Sequence, residues 1–300
     1  MPCRPAIRAR RLLLVAALLA VAATPARSQE QMTWLMPDFP PVTIPVKGAP
    51  TNGIADQVVR FLESRWGHDD HRYVYANSKR TWVMLEQGSK ACFAAALRTP
   101  ERERAAYFSN TSLVPPPVLV ARAETIASLP LNGAGEVQLE RLLATPRHRG
   151  AIVGKRSYGA AVDKALAARP AKANVEVTSI GDYGRNVLLM VAHGRADYTI
   201  DYDFALAYAQ SVQAGVEQLR TVPIAGNAQA VVAGVACPRT PWGRSMIRKI
   251  DKLLGTPAGA EALVRAQDSW LTEAGKQRYR SQIQQFRRQR SQPSAGADYY

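Results

Sequence analysis

Arg98, Thr99, Arg102 and Arg104 lie close together, directly after the apolar run Phe93 to Leu97. Clustered guanidinium groups attract an anion. The run has the length of a buried strand. Thr99-Pro100 reads as the start of a helix, because threonine suits the cap and proline suits the first helical position. A strand that runs into a helix N-terminus points unpaired backbone N–H groups at the strand's carboxyl end, where a small acidic group is favoured. The chemistry on offer is therefore the gripping of an anion. The same residues also suit a basic turn facing solvent, and so short a pattern leaves both readings open.

Three further places offer candidate groups. Ser157-Tyr158-Gly159 follow the short apolar run Ala151-Ile152-Val153, and Ser157 is expected to cap a helix there. Phe39 sits in Pro37-Asp38-Phe39-Pro40-Pro41, a rigid loop that either exposes the ring or folds it into the core. Tyr202 stands between Asp201 and Asp203. On a strand, neighbours point to opposite faces, so a Tyr202 facing a cleft would turn both acids away. His68-Asp69-Asp70-His71 follows a helix and lacks an i, i+4 ligand pair, so it reads as a solvated loop and no metal site is expected. There is no Gly-x-Ser-x-Gly, phosphate-binding loop, Cys-x-x-Cys or His-Glu-x-x-His. No cofactor is expected, and Glu101 is the one carboxylate near the arginines to nominate for catalysis.

The elements that must position these residues alternate. Strands at Met32–Met36, Arg72–Tyr75 and Phe93–Leu97 are separated by two helices. The first begins at Asp56 and carries Val58, Phe61, Leu62 and Trp66 on one side. The second runs from Thr81 to Gly88, with Trp82 and Leu85 as its apolar face. Such alternation argues for an α/β fold with a parallel or mixed sheet. Val114-Pro115-Pro116-Pro117 marks a first crossing segment. Helix Val137–Leu143, strand Ala151–Val153, a helix from Ser157, strand Val175–Ile180 and helix Arg185–His193 follow. A second crossing spans Thr221 to Asn227. Strand Gln229–Ala236 comes next, then helices from Gly243, over Ala258–Gln267 and over Thr272–Arg288. Ser291 to Tyr300 read as a polar, frayed end.

The formal charge is +15. Residues 1–28 carry five arginines and no acid, which leaves 34 basic against 24 acidic residues in the remainder. The surface favours acidic partners. Those first 28 residues have a basic start, an apolar stretch Leu12–Ala23 too short to span a bilayer, and a small-x-small site at Ala26-Arg27-Ser28, the layout of a cleaved secretory signal. Cleavage leaves Cys92 and Cys237, enough for one disulfide in an oxidising compartment or for two buried thiols. Export argues against nucleic acid as the partner.

The chain resembles the family 3 extracytoplasmic solute-binding proteins of the amino-acid-binding type, the substrate-binding components of ABC transporters. The resemblance rests on Thr99-x-x-Arg102 followed by Phe108-Ser109, on Gly194-Arg195-Ala196-Asp197, and on Gly53 to Asp56, one residue shorter than the family's element. It covers about residues 32 to 288 and implies a type II periplasmic-binding-protein-like fold. Lobe 1 would be 29–116 plus 227–300, and lobe 2 would be 117–226. Each lobe would be a mixed sheet flanked by helices, with the two crossings as hinge. By resemblance, Arg102 grips the ligand's carboxylate, helped by Thr99, Arg98, Ser157 and Tyr158, and Phe39 covers the ligand. Tyr202 or Asp201 stands near the place of the ammonium-binding acid. Cys92 and Cys237 would lie on adjacent antiparallel strands and form a disulfide. A monomeric periplasmic protein is implied, with a small-molecule ligand and a membrane permease or sensor as partner. Four positions depart from the pattern: Ala95 and Leu97 replace serines, Tyr202 replaces the acid five residues after Asp197, and Cys92 replaces an aspartate. An enzyme on the same scaffold, such as a small-acid dehydratase, and a non-transport sensor remain alternatives.

Overall fold

Two five-stranded mixed sheets organise the chain. The structure, a computed structural model, describes residues 31–67, 70–154, 156–178, 185–294 and 297–300. The expected signal segment, His68, Asp69 and Ile180 lie outside the described residues. The first sheet is built from β1 (Met32–Pro37), α1 (Ile54–Trp66), β2 (His71–Ala76), α2 (Ser78–Glu86), β3 (Ala91–Leu97), α3 (Pro100–Ala105) and β4 (Ala106–Val114). The second comprises β5 (Val118–Arg122), α4 (Ala123–Ile126), α5 (Leu139–Ala144), β6 (Gly150–Val153), α6 (Ala160–Ala167), β7 (Val175–Thr178), α7 (Arg185–Ala192), β8 (Tyr198–Asp201), α8 (Asp203–Val212) and β9 (Leu219–Val222). The chain then returns to the first sheet with β10 (Val231–Pro238), followed by α9 (Pro241–Leu254), α10 (Pro257–Asp268) and α11 (Glu273–Arg290).

The strand orders are β2-β1-β3-β10-β4 and β7-β6-β8-β5-β9. Both have one plan. Three parallel strands, joined by helical crossovers as parallel pairing requires, are followed by one antiparallel strand and its edge partner. The loops after β1, β3, β6 and β8 therefore occupy matching places at carboxyl ends of strands, where open α/β sheets bind ligands.

The helix faces read from sequence meet the sheets. Val58, Leu62 and Trp66 of α1 and Ile247, Ile250 and Leu254 of α9 pack on Trp34, Met36, Cys92 and Ala94. In the second lobe, Leu142, Val162 and Leu166 cover one face of the sheet, and Val187, Leu188, Val191 and Leu206 cover the other. α1 starts two residues before Asp56, at Ile54. The Asp56 carboxylate reaches back to the N–H groups of Gly53 (3.1 Å), Thr51 (3.1 Å) and Ile44 (2.8 Å), so it fixes the loop that follows β1. A Cβ on Gly53 would lie 2.8 Å from the Val42 carbonyl oxygen, which is why a side chain is excluded there.

β3 and β10 run antiparallel with Ala236 opposite Phe93, and this brings Cys92 and Cys237 together. They form a disulfide with a Cα–Cα distance of 4.4 Å across 145 residues of sequence, and both are fully buried.

The carboxyl end corrects the expectation of fraying. Tyr299 is buried against Tyr107, and the Tyr300 hydroxyl donates to Asp251 (2.9 Å). Asp251 is fully buried and also accepts from Ser109 (2.8 Å), Arg290 (3.0 Å) and the Ser294 N–H (2.8 Å). A buried carboxylate needs such donors, and the last residues supply them.

The α10–α11 corner also docks on the second lobe. Asp203 accepts from the Thr272 N–H (2.8 Å) and hydroxyl (2.7 Å), and Arg278 pairs with Glu136 (2.6 Å). Tyr208 and Trp270 meet edge to face at 5.4 Å. Among the described residues no helix is long and apolar enough to cross a membrane.

Candidate functional site

A cavity of about 200 Å³ lies between the lobes, next to the loops after β1, β3 and β8. Its floor is the first sheet: Ala95 and Leu97 of β3, Thr111 and Ser112 of β4, and Ala233 of β10. One wall is the start of α1, through Ile54, Ala55 and Val58, and the opposite wall is Tyr202 and Phe204 of the second lobe. Phe39 and Arg102 also line it, with Pro37, Val42, Ser78 and Val114 around them. The lining is predominantly apolar. The two positions where the resembled family has serines, Ala95 and Leu97, both face this space.

Arg102 is the charged group of the cavity. Thr99 caps α3 by accepting the Arg102 N–H (3.3 Å), which sets the backbone from which the side chain projects. The guanidinium donates once, to the Leu97 carbonyl (3.0 Å), and its Cζ lies 4.9 Å from the Trp82 ring centroid. Arginine has five N–H donors, so most remain available to a ligand. Burial lowers its pKa, and no described carboxylate forms an ion pair with it. Arginine keeps its charge at any physiological pH. A held, half-dry guanidinium without an acid partner suits a ligand carboxylate.

Phe39 leaves the first lobe and meets the second. Its ring centroid is 6.4 Å from Tyr202 and 6.1 Å from Phe204, which themselves stack at 4.8 Å. The expected covering aromatic is thus in contact with the opposite wall. Arg156, which the sequence reading passed over, lies against this cluster, with its Cζ 5.7 Å from the Phe39 centroid and 5.6 Å from that of Tyr202. It donates to Asp201 at 2.6 Å. Burial opposes its charge, but the Asp201 carboxylate outweighs burial, and the Arg156 pKa is raised. Burial also raises the Tyr202 phenol, while Arg156 and Arg102 both act against that shift, so this hydroxyl lies within the influence of both guanidiniums.

Other expected contributors sit elsewhere. Arg98 is committed to Glu103 (2.6 Å) and Asn110 (2.9 Å) and does not line the cavity. Ser157 is not a cap: α6 begins after Gly159, and the Ser157 hydroxyl donates to Asp163 (2.5 Å). The Tyr158 N–H also goes to Asp163 (2.8 Å), so the hydroxyl and amide expected to face the ligand are satisfied within the lobe. The Tyr158 ring is buried, and its hydroxyl accepts the Val153 N–H (2.8 Å). Asp201 is buried beside Arg156 and is absent from the cavity wall, while Asp203 faces Thr272. Glu101 is exposed and outside the cavity. Among the described residues no group of His, Cys, Asp and Glu could hold a metal ion. His71 instead accepts from the Trp34 indole at 3.0 Å.

No protein-family model matches the sequence, and no curated protein sequence matches it. Solved structures do. An ancestral cationic amino acid solute-binding protein is 15% identical, with a TM-score of 0.61 over 81% of this chain and 96% of its own. A probable amino-acid ABC transporter extracellular-binding protein from Bacillus subtilis is 20% identical, with a TM-score of 0.60 over 82% of this chain and 99% of its own. A histidine kinase sensor domain with similarity to periplasmic binding proteins is 14% identical, with a TM-score of 0.58 over 82% and 98%. At these identities the likeness shows the fold, which is the two-lobed α/β fold of periplasmic binding proteins.

Proposed function

We propose that this chain is an exported solute-binding protein of the family 3 type, which captures a small acidic solute between its lobes for uptake or for sensing. The observation that carries the reading is Arg102. It is braced by Trp82 and Leu97, lacks an acid partner among the described residues, and faces a cavity walled by both lobes. Closure of the lobes would bury the solute, with Phe39 and the Tyr202–Phe204 stack as cover. Export is supported by the signal-like residues 1–28 and by the disulfide, a bond of oxidising compartments. The uptake reading needs a membrane permease as partner, and the sensing reading needs a signalling protein. The resemblance and the fold fit both. Binding without catalysis is part of the proposal, since among the described residues the cavity wall presents no carboxylate or imidazole to act as acid or base.

The test is a thermal-shift screen of the mature chain against amino acids, small carboxylates and amines, followed by calorimetry on each hit. A solute at a hundred times its dissociation constant should stabilise the fold by about 2.7 kcal/mol. Arg102→Ala should weaken binding by about 1.5–3 kcal/mol, which is roughly 10- to 150-fold. A hit whose affinity is unchanged in Arg102→Ala would remove the proposed mode.

A further inference from the structure

We infer that the solute is an apolar monocarboxylate that carries no ammonium group; the inference rests on the solute-binding reading above and concerns the same cavity. The charges around the cavity decide it. Arg102 contributes one positive charge and forms no ion pair among the described residues; Glu101 acts on it only from an exposed position outside the cavity. Of the charges nearby, Arg156 and Asp201 neutralise each other at 2.6 Å, and Asp163, which also acts on Tyr202, is held outside the cavity by the Ser157 hydroxyl and the Tyr158 N–H. One cation is left for the solute, so one anionic group is matched and a second is not.

Among the described residues an α-ammonium finds no counterpart here. The floor presents Ala95, Leu97 and Ala233 where a carboxylate would be needed, and the wall presents Tyr202 and Phe204. Burying an ammonium without an acid is costly, more so beside a guanidinium. An aromatic face can hold a cation in place of an acid. Arg156 already stands against the rings of both Phe39 and Tyr202, so that role is taken. The hydroxyls of Ser78, Thr111 and Ser112 accept or donate hydrogen bonds but carry no charge. What remains complementary is an aliphatic or aromatic body against the floor and one carboxylate on Arg102.

Calorimetry on the mature wild-type protein with matched solutes tests this. 3-Phenylpropanoate and phenylalanine differ by the ammonium alone, as do 4-methylpentanoate and leucine, and adipate adds a second carboxylate to hexanoate. The expected result is that at least one plain monocarboxylate binds, and binds at least about tenfold tighter than its charged counterpart. Equal or tighter binding of the amino acid or of adipate overturns the inference. So does failure of all three monocarboxylates to bind at low-millimolar concentration. The same titrations in Arg102→Ala separate the two levels. An amino acid that binds wild type and is lost in Arg102→Ala leaves the solute-binding reading standing while the solute class falls. Binding indifferent to Arg102 removes both.

Discussion

Replacing both Cys92 and Cys237 by alanine should remove a large share of the first lobe's stability. The bond joins β3 to β10 across 145 residues, and the intervening chain includes every strand of the second sheet. In the chain-entropy account a 100-residue loop is worth about 4.7 kcal/mol, and the logarithmic dependence raises this to about 5 kcal/mol here. Both sulfurs are also fully buried, so their removal leaves small voids that add to the loss. Residual structure in the reduced, unfolded chain lowers the entropic value, so the expected change is about 3–5 kcal/mol in urea unfolding, with a steeper slope, because the uncrosslinked denatured chain exposes more surface. Tryptophan fluorescence suits the measurement. All five tryptophans, at 34, 66, 82, 242 and 270, belong to the segments around the first lobe. The bond ties two strands of one sheet and does not cross the cleft, so solute affinity should stay within about threefold. A stability loss below about 1 kcal/mol with an unchanged slope would refute the entropic reasoning. A large loss of affinity would refute the placement of the bond away from lobe closure.

Other perturbations probe separate contacts. Gly275→Ala places a Cβ 2.6 Å from the Asp203 carboxylate and should destabilise by about 1–3 kcal/mol. A melting temperature equal to or above wild type would show that the corner yields freely. Asp251 titrates with a sign that can be worked out. Burial raises its pKa, but Arg290, the Ser294 N–H and the Ser109 and Tyr300 hydroxyls outweigh burial and hold it below the ordinary 3.8. A lowered folded-state pKa gives stability that is complete above the unfolded value and is lost as pH falls through the folded one. Acid unfolding should therefore lose this contribution below about pH 4, and Asp251→Asn should be less stable at neutral pH with a shallower acid limb. An identical acid limb in the variant would contradict the network. Arg156→Gln leaves Asp201 without its ion pair beside the cleft, so the preference for monocarboxylates over amino acids should shrink by about tenfold or more. Competitive calorimetry on the same solute pairs reads it, and an unaltered preference would mean that Asp201 has no influence on the solute.

Much of the architecture was legible because it rests on local signals. Thr99-Pro100 set the end of β3 and the start of α3, and the two-period and helical patterns separated strands from helices. The site was legible only in part. Arg98 and Arg102 are alike in type and lie four residues apart, yet Glu103 and Asn110 claim the first and leave the second for the cavity. No local pattern distinguishes them, because the pairing depends on how β3 turns into α3 and on where β4 places Asn110. Ser157 looked like a cap, but Asp163 six residues on reaches it first. The alternation rule applied to Asp201-Tyr202-Asp203 assumed one strand. β8 ends at Asp201 and α8 starts at Asp203, so the two acids are placed by Arg156 and Thr272 and not by a shared pleat. Arg156 could have been found by asking which cation would accompany so acidic a segment.

The position of β10 has a consequence for how the chain is made. It sits between β3 and β4 and pairs with both, so the first sheet has no continuous core until residues 231–238 are present. Before then β3 and β4 are two open edges, each able to pair with another chain. The second sheet is contiguous in sequence and can close on its own while the first lobe waits. Its completion depends on contacts across more than a hundred residues, which slows folding. In a chain of this order the first sheet stays incomplete until β10 has been made. Under the export proposed above, the cysteine in β10 would meet its partner in β3 only after both strands had crossed the membrane.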